Sequence, residues 1–374
     1  MAGLYLHIPF CKQACHYCNF HFSTSLHQKE AMVEALIKEI ILQKDYLEGE
    51  ALTSIYLGGG TPSLLSEKEL RQIFEKIYQI HKVDKDAEIT LEANPDDLTK
   101  EKLITLRDSP VNRLSIGIQS FSNTDLQFMN RAHNAQQAKN CIINAQQMGF
   151  SNLTIDLIYG TPTTSLDQWR QNIETLINFQ IPHISAYCLT VEPNTALHHF
   201  VKTGKAQPVN EQQSIQQFEI LLNQLRLNGY EHYEISNFAK PNAHARHNSN
   251  YWLGVSYLGV GPSAHSFNGV SRQWNIAHNT QYIRAIQQEN SYFEKEILTI
   301  DQQYNEYILT ALRTKWGCDL EKIKKWGEGH ARHFEEKVKE YILQGLMEEN
   351  QSIFTLTDKG KLLADRVAME LFVE

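Results

Sequence analysis

Long apolar runs are missing from this sequence. No stretch approaches the roughly 18 apolar residues that a membrane-crossing helix needs, and the opening Met1-Ala2-Gly3-Leu4-Tyr5 has neither the basic nor the apolar segment of an export signal. The chain is therefore expected to be soluble and cytoplasmic. Positive charge is short too: 35 Lys and Arg stand against 43 Asp and Glu, a formal net charge of −8. That balance repels phosphate backbones and argues against nucleic acid as a partner. There is no internal repeat, low-complexity tract or flexible linker, and 42% hydrophobic with 21% charged residues excludes disorder and fibres. Cysteine is scarce and uneven. Cys11, Cys15 and Cys18 fall close together, while Cys141, Cys188 and Cys318 lie far apart, unlike the evenly shared cysteines of a disulfide framework.

What is present is an alternation of short and long segments. The runs 4–9, 54–57, 88–91, 113–118, 152–158 and 183–189 are brief and apolar between Gly, Pro, Asn or polar residues, which predicts buried parallel strands. Amphipathic segments at 28–48, 66–80, 99–107, 135–148, 165–178 and 211–228 predict the intervening helices, the second opening on Ser66 and Glu69 in capping-box spacing. Six βα units predict an α/β fold, a barrel or open parallel sheet, over residues 1–235. A Gly/Ser/aromatic stretch follows, and 236–299 reads as a mixed β/loop segment against the barrel's open edge, without a clean helix up to Asn279. From 300 to 374 helices and a small hairpin suggest a winged-helix-like α module. Residues 301–374 hold 11 basic and 14 acidic side chains, which favours structural use over DNA binding.

Cys11-Lys-Gln-Ala-Cys15-His-Tyr-Cys18 is a C-x3-C-x2-C loop. Two centres suit three thiolates. Structural zinc needs four closed ligands, and His21 would complete a Cys3His set, but such sites usually draw ligands from two separate elements and no second pair is evident. A [4Fe–4S] cube on three thiolates leaves one iron open. An open iron can bind a chelating substrate, and S-adenosylmethionine offers an amine and a carboxylate.

The pattern, with Tyr17 before the third cysteine, resembles that of the radical S-adenosylmethionine superfamily. Tyr5-Leu6-His7-Ile8-Pro9-Phe10-Cys11 resembles the entrance of the oxygen-independent coproporphyrinogen III oxidase branch. The resemblance continues through Gly58-Gly59-Gly60-Thr61-Pro62, Glu92-Ala93-Asn94-Pro95, Gly117-Ile118-Gln119-Ser120-Phe121, Asn130-Arg131-Ala132-His133 and Asp156-Leu157-Ile158-Tyr159-Gly160. It implies a partial (β/α)6 radical-SAM barrel, a [4Fe–4S] cluster on Cys11, Cys15 and Cys18, and S-adenosylmethionine as cofactor. Cys11, Gly58, Glu92, Gln119, Asp156 and Cys188 are each expected at or just beyond the C-terminal end of a strand, where parallel barrels carry their active sites. Carried over residue by residue, Tyr5, Tyr17, Gly59, Gly60, Thr61 and Glu92 resemble the contacts of the first S-adenosylmethionine. Gln119, Arg131 and Asp156 match residues that surround a second one in the oxidase. Glu92 and Asp156 can accept from ribose hydroxyls or ammonium, Arg131 can pair with a carboxylate, and Gln119 can do either.

The sequence departs from the oxidase in two places. The oxidase pattern adds a cysteine two residues after the third, where Phe20 stands here, and it has an N-terminal extension where this chain has ten residues before Cys11. Both differences weigh against decarboxylation of coproporphyrinogen III. Arg246-His247-Asn248-Ser249-Asn250-Tyr251-Trp252 contains H-N-x-x-Y-W, which resembles the mark of HemW-type heme chaperones. Physically, His247 beside Tyr251 and Trp252 offers an imidazole for heme iron and aromatic walls for a porphyrin, with His244 and His265 as other candidates. A hydrogen-bonded packing role is the competing reading. The resemblance implies a carrier that binds heme and delivers it to an acceptor hemoprotein, plausibly respiratory, with room for peripheral membrane association and a homodimer. The oxidase reading stays beside it as the enzymatic alternative.

Overall fold

The computed structural model describes residues 1–373. Its first two-thirds alternate strand and helix: β1 (Ala2–Ile8), α1 (Lys29–Leu42), β2 (Leu52–Gly59), α2 (Glu67–Ile80), β3 (Val83–Ala93), α3 (Lys100–Arg107), β4 (Arg113–Gln119), α4 (Asn123–Phe128), α5 (Ala135–Gln147), β5 (Leu153–Tyr159), α6 (Leu166–Asn178) and β6 (His183–Cys188). Then come α7 (Ala196–Lys202), α8 (Glu211–Leu227), β7 (Glu231–Glu234), β8 (Asn237–Ala239), α9 (Arg246–Trp252), β9 (Tyr257–Val260), β10 (His265–Phe267), β11 (Ser271–Asn275), α10 (Asn279–Gln288) and β12 (Phe293–Ile297). Strands β1 to β6 lie side by side and parallel in one twelve-stranded sheet, flanked by β9 to β12 beyond β1 and by β8 and β7 beyond β6. This is the expected partial (β/α)6 barrel. The helices start where the sequence says: Ser66 and Glu69 close a reciprocal capping box on α2, and Asn134 with Gln137 does the same on α5.

The strands are buried on both faces because helices cover the outside and side chains fill the lumen. Residues that interrupt these buried runs matter most. Tyr5, Glu92, Gly117 and Asp156 are the partly exposed members of β1, the end of β3, β4 and β5. They turn toward a lumen that is polar rather than packed with aliphatic side chains. Asp156 lies in the middle of β5, three residues inward of the strand end expected for it.

The segment expected to lack a helix contains one. Helix α9 is the H-N-x-x-Y-W motif, and it closes the N-terminal floor of the barrel, opposite the end where the cysteine loop lies. No side chain caps it locally. The Glu88 carboxylate of β3 does so instead, accepting from the backbone N–H of Arg246 at 2.9 Å and of His247 at 3.0 Å.

The remaining chain forms a second core of α11 (Ile300–Leu312), α12 (Leu320–Lys324), α13 (Glu328–Leu343), α14 (Asp358–Lys361) and α15 (Ala364–Glu370) with a small antiparallel sheet of β13 (Cys318–Asp319), β14 (Met347–Asn350) and β15 (Ile353–Leu356). This module docks on the barrel through Arg313, which reaches Glu234 at 3.3 Å and lies over the Trp252 ring at 5.1 Å. Among the described residues no helix is long and apolar enough to cross a membrane.

Candidate functional site

A cavity of about 440 Å³ opens at the C-terminal end of the parallel strands. Cys11, Cys15 and Cys18 line one side. The opposite wall brings together Gly59, Gly60, Thr61, Glu92, Gln119, Arg131 and Asp156 from β2 to β5 and the loops after them, with Tyr17 on the cysteine loop itself. Of the anticipated S-adenosylmethionine contacts only Tyr5 is not on the wall. Its hydroxyl sits 3.1 Å from His7 Nδ1, and its ring stacks on Tyr56, one layer deeper in the lumen.

The cysteine loop is held from several sides. Thr61 Oγ1 donates to Cys11 Sγ at 3.5 Å, and Arg131 Nη1 donates to Cys15 Sγ at 3.2 Å. Lys12 pairs with Asp96 and Asp97, and Tyr17 packs on Leu126, Met129, Ile158 and Leu189. Burial pushes the Cys11 thiol up to about 11 and raises Cys18 as well. Among the described residues no three His, Cys, Asp or Glu side chains gather around one point as a mononuclear metal would require. His21 does not join the cysteines, because its Nε2 pairs with Asn279 Oδ1 at 2.7 Å. Cys11, Cys15 and Cys18 face one cavity and no fourth protein ligand among the described residues joins them, which suits a cube held by three thiolates better than a closed zinc site.

Close backbone approach explains the glycine run after β2. Gly59 has φ of +102°, and a Cβ on Gly60 would lie 2.6 Å from the Phe10 carbonyl oxygen and 2.7 Å from that of Ile8. This contact seats the cysteine loop against β2. Glu92 stands beneath it, accepting from the Gly59 N–H at 3.1 Å and the Tyr56 hydroxyl at 2.7 Å. Burial raises Glu92 to about 7, and the neighbouring Asp156 carboxyl adds to the rise. Burial likewise raises Asp156 to about 6. Two buried carboxyls facing a cavity favour a cationic guest.

Arg131 organises the far wall. Its Nη2 donates to Asn94 Oδ1 at 2.6 Å and to the Gly117 carbonyl at 2.7 Å, while Nε is buried without a partner. Gln119 sits at a register shift between β4 and β5 with φ of +67°, and its Oε1 is also buried and unpaired. A non-glycine residue in the left-handed region beside an unsatisfied amide oxygen marks a place shaped for a ligand.

Three residues that sequence reasoning did not single out belong here. Tyr56 links Glu92 to the lumen, while Tyr187 at the end of β6 and Glu192 after it complete the wall. Alternation along β2 was the available signal for Tyr56. Cys188, anticipated only as a strand-end residue, is a fourth thiol on the same cavity.

His247 is not part of this cavity. Its ring lies on the barrel floor, Nδ1 2.9 Å from Ser54 Oγ, stacked on Tyr56 at 5.1 Å with Tyr5 at 6.4 Å. Burial lowers it to about 4, so the imidazole is neutral. His244 pairs with Glu231, and His265 packs against Trp274.

Fold and cavity together define a radical S-adenosylmethionine protein. Residues 5–176 match the family model described as the Radical SAM superfamily, and residues 298–363 match that of the HemN C-terminal domain. The chain is 33% identical over 371 residues to the heme chaperone HemW of Bacillus subtilis (strain 168), covering 98% of each chain. It is 30% identical over 380 residues to the heme chaperone HemW of Escherichia coli (strain K12), covering 99% of this chain and 98% of that one. The chain belongs to this HemW family. Its fold is shared with the solved coproporphyrinogen III oxidase (HemN) of Escherichia coli, at a TM-score of 0.86 and 24% identity over 100% of this chain and 90% of that one.

Membership of the superfamily implies a [4Fe–4S] cluster and S-adenosylmethionine. The residues fit both groups: three thiols on one rim, two buried carboxyls toward a cation, and orphaned polar atoms on Gln119 and Arg131. A bound cluster would be held by Cys11, Cys15 and Cys18 and would supply one-electron chemistry, while Glu92, Gln119, Arg131 and Asp156 would orient S-adenosylmethionine beside it.

Proposed function

We propose that this chain is a heme chaperone that binds heme, carries a [4Fe–4S] cluster on Cys11, Cys15 and Cys18 with exchangeable S-adenosylmethionine, and delivers heme to an acceptor hemoprotein, plausibly respiratory. One observation carries the choice against the oxidase. Phe20, at the position of the oxidase's additional cysteine, is 69% exposed and lines the mouth of the cavity, so a bulky apolar ring stands there in place of a thiol. Anaerobic reconstitution followed by heme titration tests the proposal: a stoichiometric Soret band is expected, and its absence would overturn it. The same titration with His247→Ala tests the imidazole as ligand. Since His247 is stacked on the floor, ligation would require α9 to move, and an unchanged Soret band assigns the ligand elsewhere.

The intact cofactor cavity keeps the oxidase reading in play as a second activity. Formation of protoporphyrinogen IX from coproporphyrinogen III would support it. No product, under conditions where an authentic oxidase gives it, rejects it.

A further inference from the structure

Helix α9 separates two compartments. On one side His247 faces the barrel lumen, and on the other Tyr251 faces an open groove of about 200 Å³ between the barrel floor and the C-terminal module. From the barrel come Tyr251, Tyr257 and Phe267, the first two rings 5.5 Å apart. The module contributes Tyr307 and Trp326, 5.1 Å apart. Two cations sit over these aromatic faces. Arg272 lies 5.2 Å from the Phe267 centroid, and Lys322 Nζ lies 4.3 Å from that of Tyr307.

The two cations are not equivalent. Arg272 is neutralised by Glu306 and donates to the Tyr257 hydroxyl at 3.5 Å. Lys322 has no ion-pair partner among the described residues. Of the charged residues that line the groove, Arg272 and Glu306 offset each other and Lys322 is left over. The groove is therefore aromatic within and carries one uncompensated ammonium at its edge. Tyr251 remains 40% exposed, so none of the described residues closes it.

We propose that this groove seats one edge of heme, an inference that rests on the heme-handling reading above. The complementarity is chemical: flat rings for a flat macrocycle, and an unpaired ammonium for a propionate carboxylate. Its volume lies below the roughly 300–1,000 Å³ of pockets that enclose a ligand, so it grips an edge and leaves the rest exposed. Exposure of that kind suits cargo that must pass to another protein. The groove and the cofactor cavity lie at opposite ends of the barrel, and the H-N-x-x-Y-W helix touches the lumen through His247 and the groove through Tyr251.

The test uses the full chain titrated separately with ferric heme, metal-free protoporphyrin IX and its dimethyl ester, followed by absorbance and tryptophan quenching. Wild type should bind the first two and bind the ester more weakly, because the ester lacks the carboxylates. Lys322→Glu should weaken heme roughly tenfold and Tyr251→Ala roughly fivefold. Lys68→Glu, on an exposed residue of α2, should change nothing, and circular dichroism checks that each variant is folded. If wild type binds heme and both groove variants bind it equally well, the groove is overturned while heme handling stands. If wild type binds no heme, the heme-handling reading fails and the groove proposal falls with it.

Discussion

Arg131 reaches across the cavity from the loop after α4 to the cysteine loop, Asn94 and β4, so a single side chain holds three segments in register. Replacing it by Leu leaves the Asn94 amide oxygen and the Gly117 carbonyl without donors, and both residues are only partly buried. Chemical denaturation should therefore show a loss of about 1–2 kcal/mol, and wild-type stability in the variant would refute this reading. Gly60 carries a different constraint. A methyl group there meets the backbone carbonyls of Ile8 and Phe10, on the segment that leads from β1 into the cysteine loop, and backbone cannot swing aside as a flexible side chain can. Gly60→Ala is expected to displace the loop and to lower iron content after reconstitution, with far-UV circular dichroism unchanged. Cys15→Ala should abolish the brown colour and the iron, because one of three ligands is gone, whereas Cys318→Ala, in the second core, should retain both.

At the scale of elements, β1 to β6 are legible in the sequence because each is a short apolar run between turn residues, and a capping box marks α2. The wall of the cavity is largely legible too, since Cys11, Gly59, Thr61 and Gln119 fall where strands end. The floor is not. Arg-His-Asn-Ser-Asn-Tyr-Trp combines weak helix formers with no local cap, and the group that caps α9 is a glutamate 158 residues earlier. Tertiary structure supplies what local sequence lacks. The short α4 and α7 escape notice for a related reason, being six and seven residues long, too few to show a period. The lumen is partly hidden, because Tyr56 looks like an ordinary strand aromatic until its ring is seen stacked on Tyr5 with its hydroxyl on Glu92. Glu88 also faces the buried Arg113 at 3.7 Å, so Glu88→Ala uncaps α9 and leaves a charge poorly paired. A loss of about 3 kcal/mol is expected, read by urea unfolding. Stability within about 0.5 kcal/mol of wild type would show that α9 is held by its packing alone.

Across the whole molecule the buried titratable groups fall into two opposing sets. His7, His133 and His247 are lowered to about 4 and His232 to about 3, with burial the leading cause in each, and His183 is lowered as well. Glu39 and Glu92 are raised to about 7 and Asp156 to about 6, also by burial. The signs differ. Below the unfolded histidine value near 6.5 the unfolded chain takes up protons that the folded one refuses, so the histidines favour unfolding as pH falls. The carboxyls do the reverse: the folded chain keeps protons that the unfolded one releases above about 4.5, so they cost stability as pH rises toward 7. Burial also lowers His81 and raises Glu234, so the lowered histidines outnumber the raised carboxyls, the unfolded state binds more protons between about pH 5 and 6.5, and stability falls as pH falls there. The protein without bound cofactors should therefore be most stable close to neutrality and lose melting temperature steadily toward pH 5, as thermal unfolding at constant ionic strength would measure. A melting temperature at pH 5 equal to that at pH 7 would mean that the lumen admits water and that these side chains titrate as they do in solution.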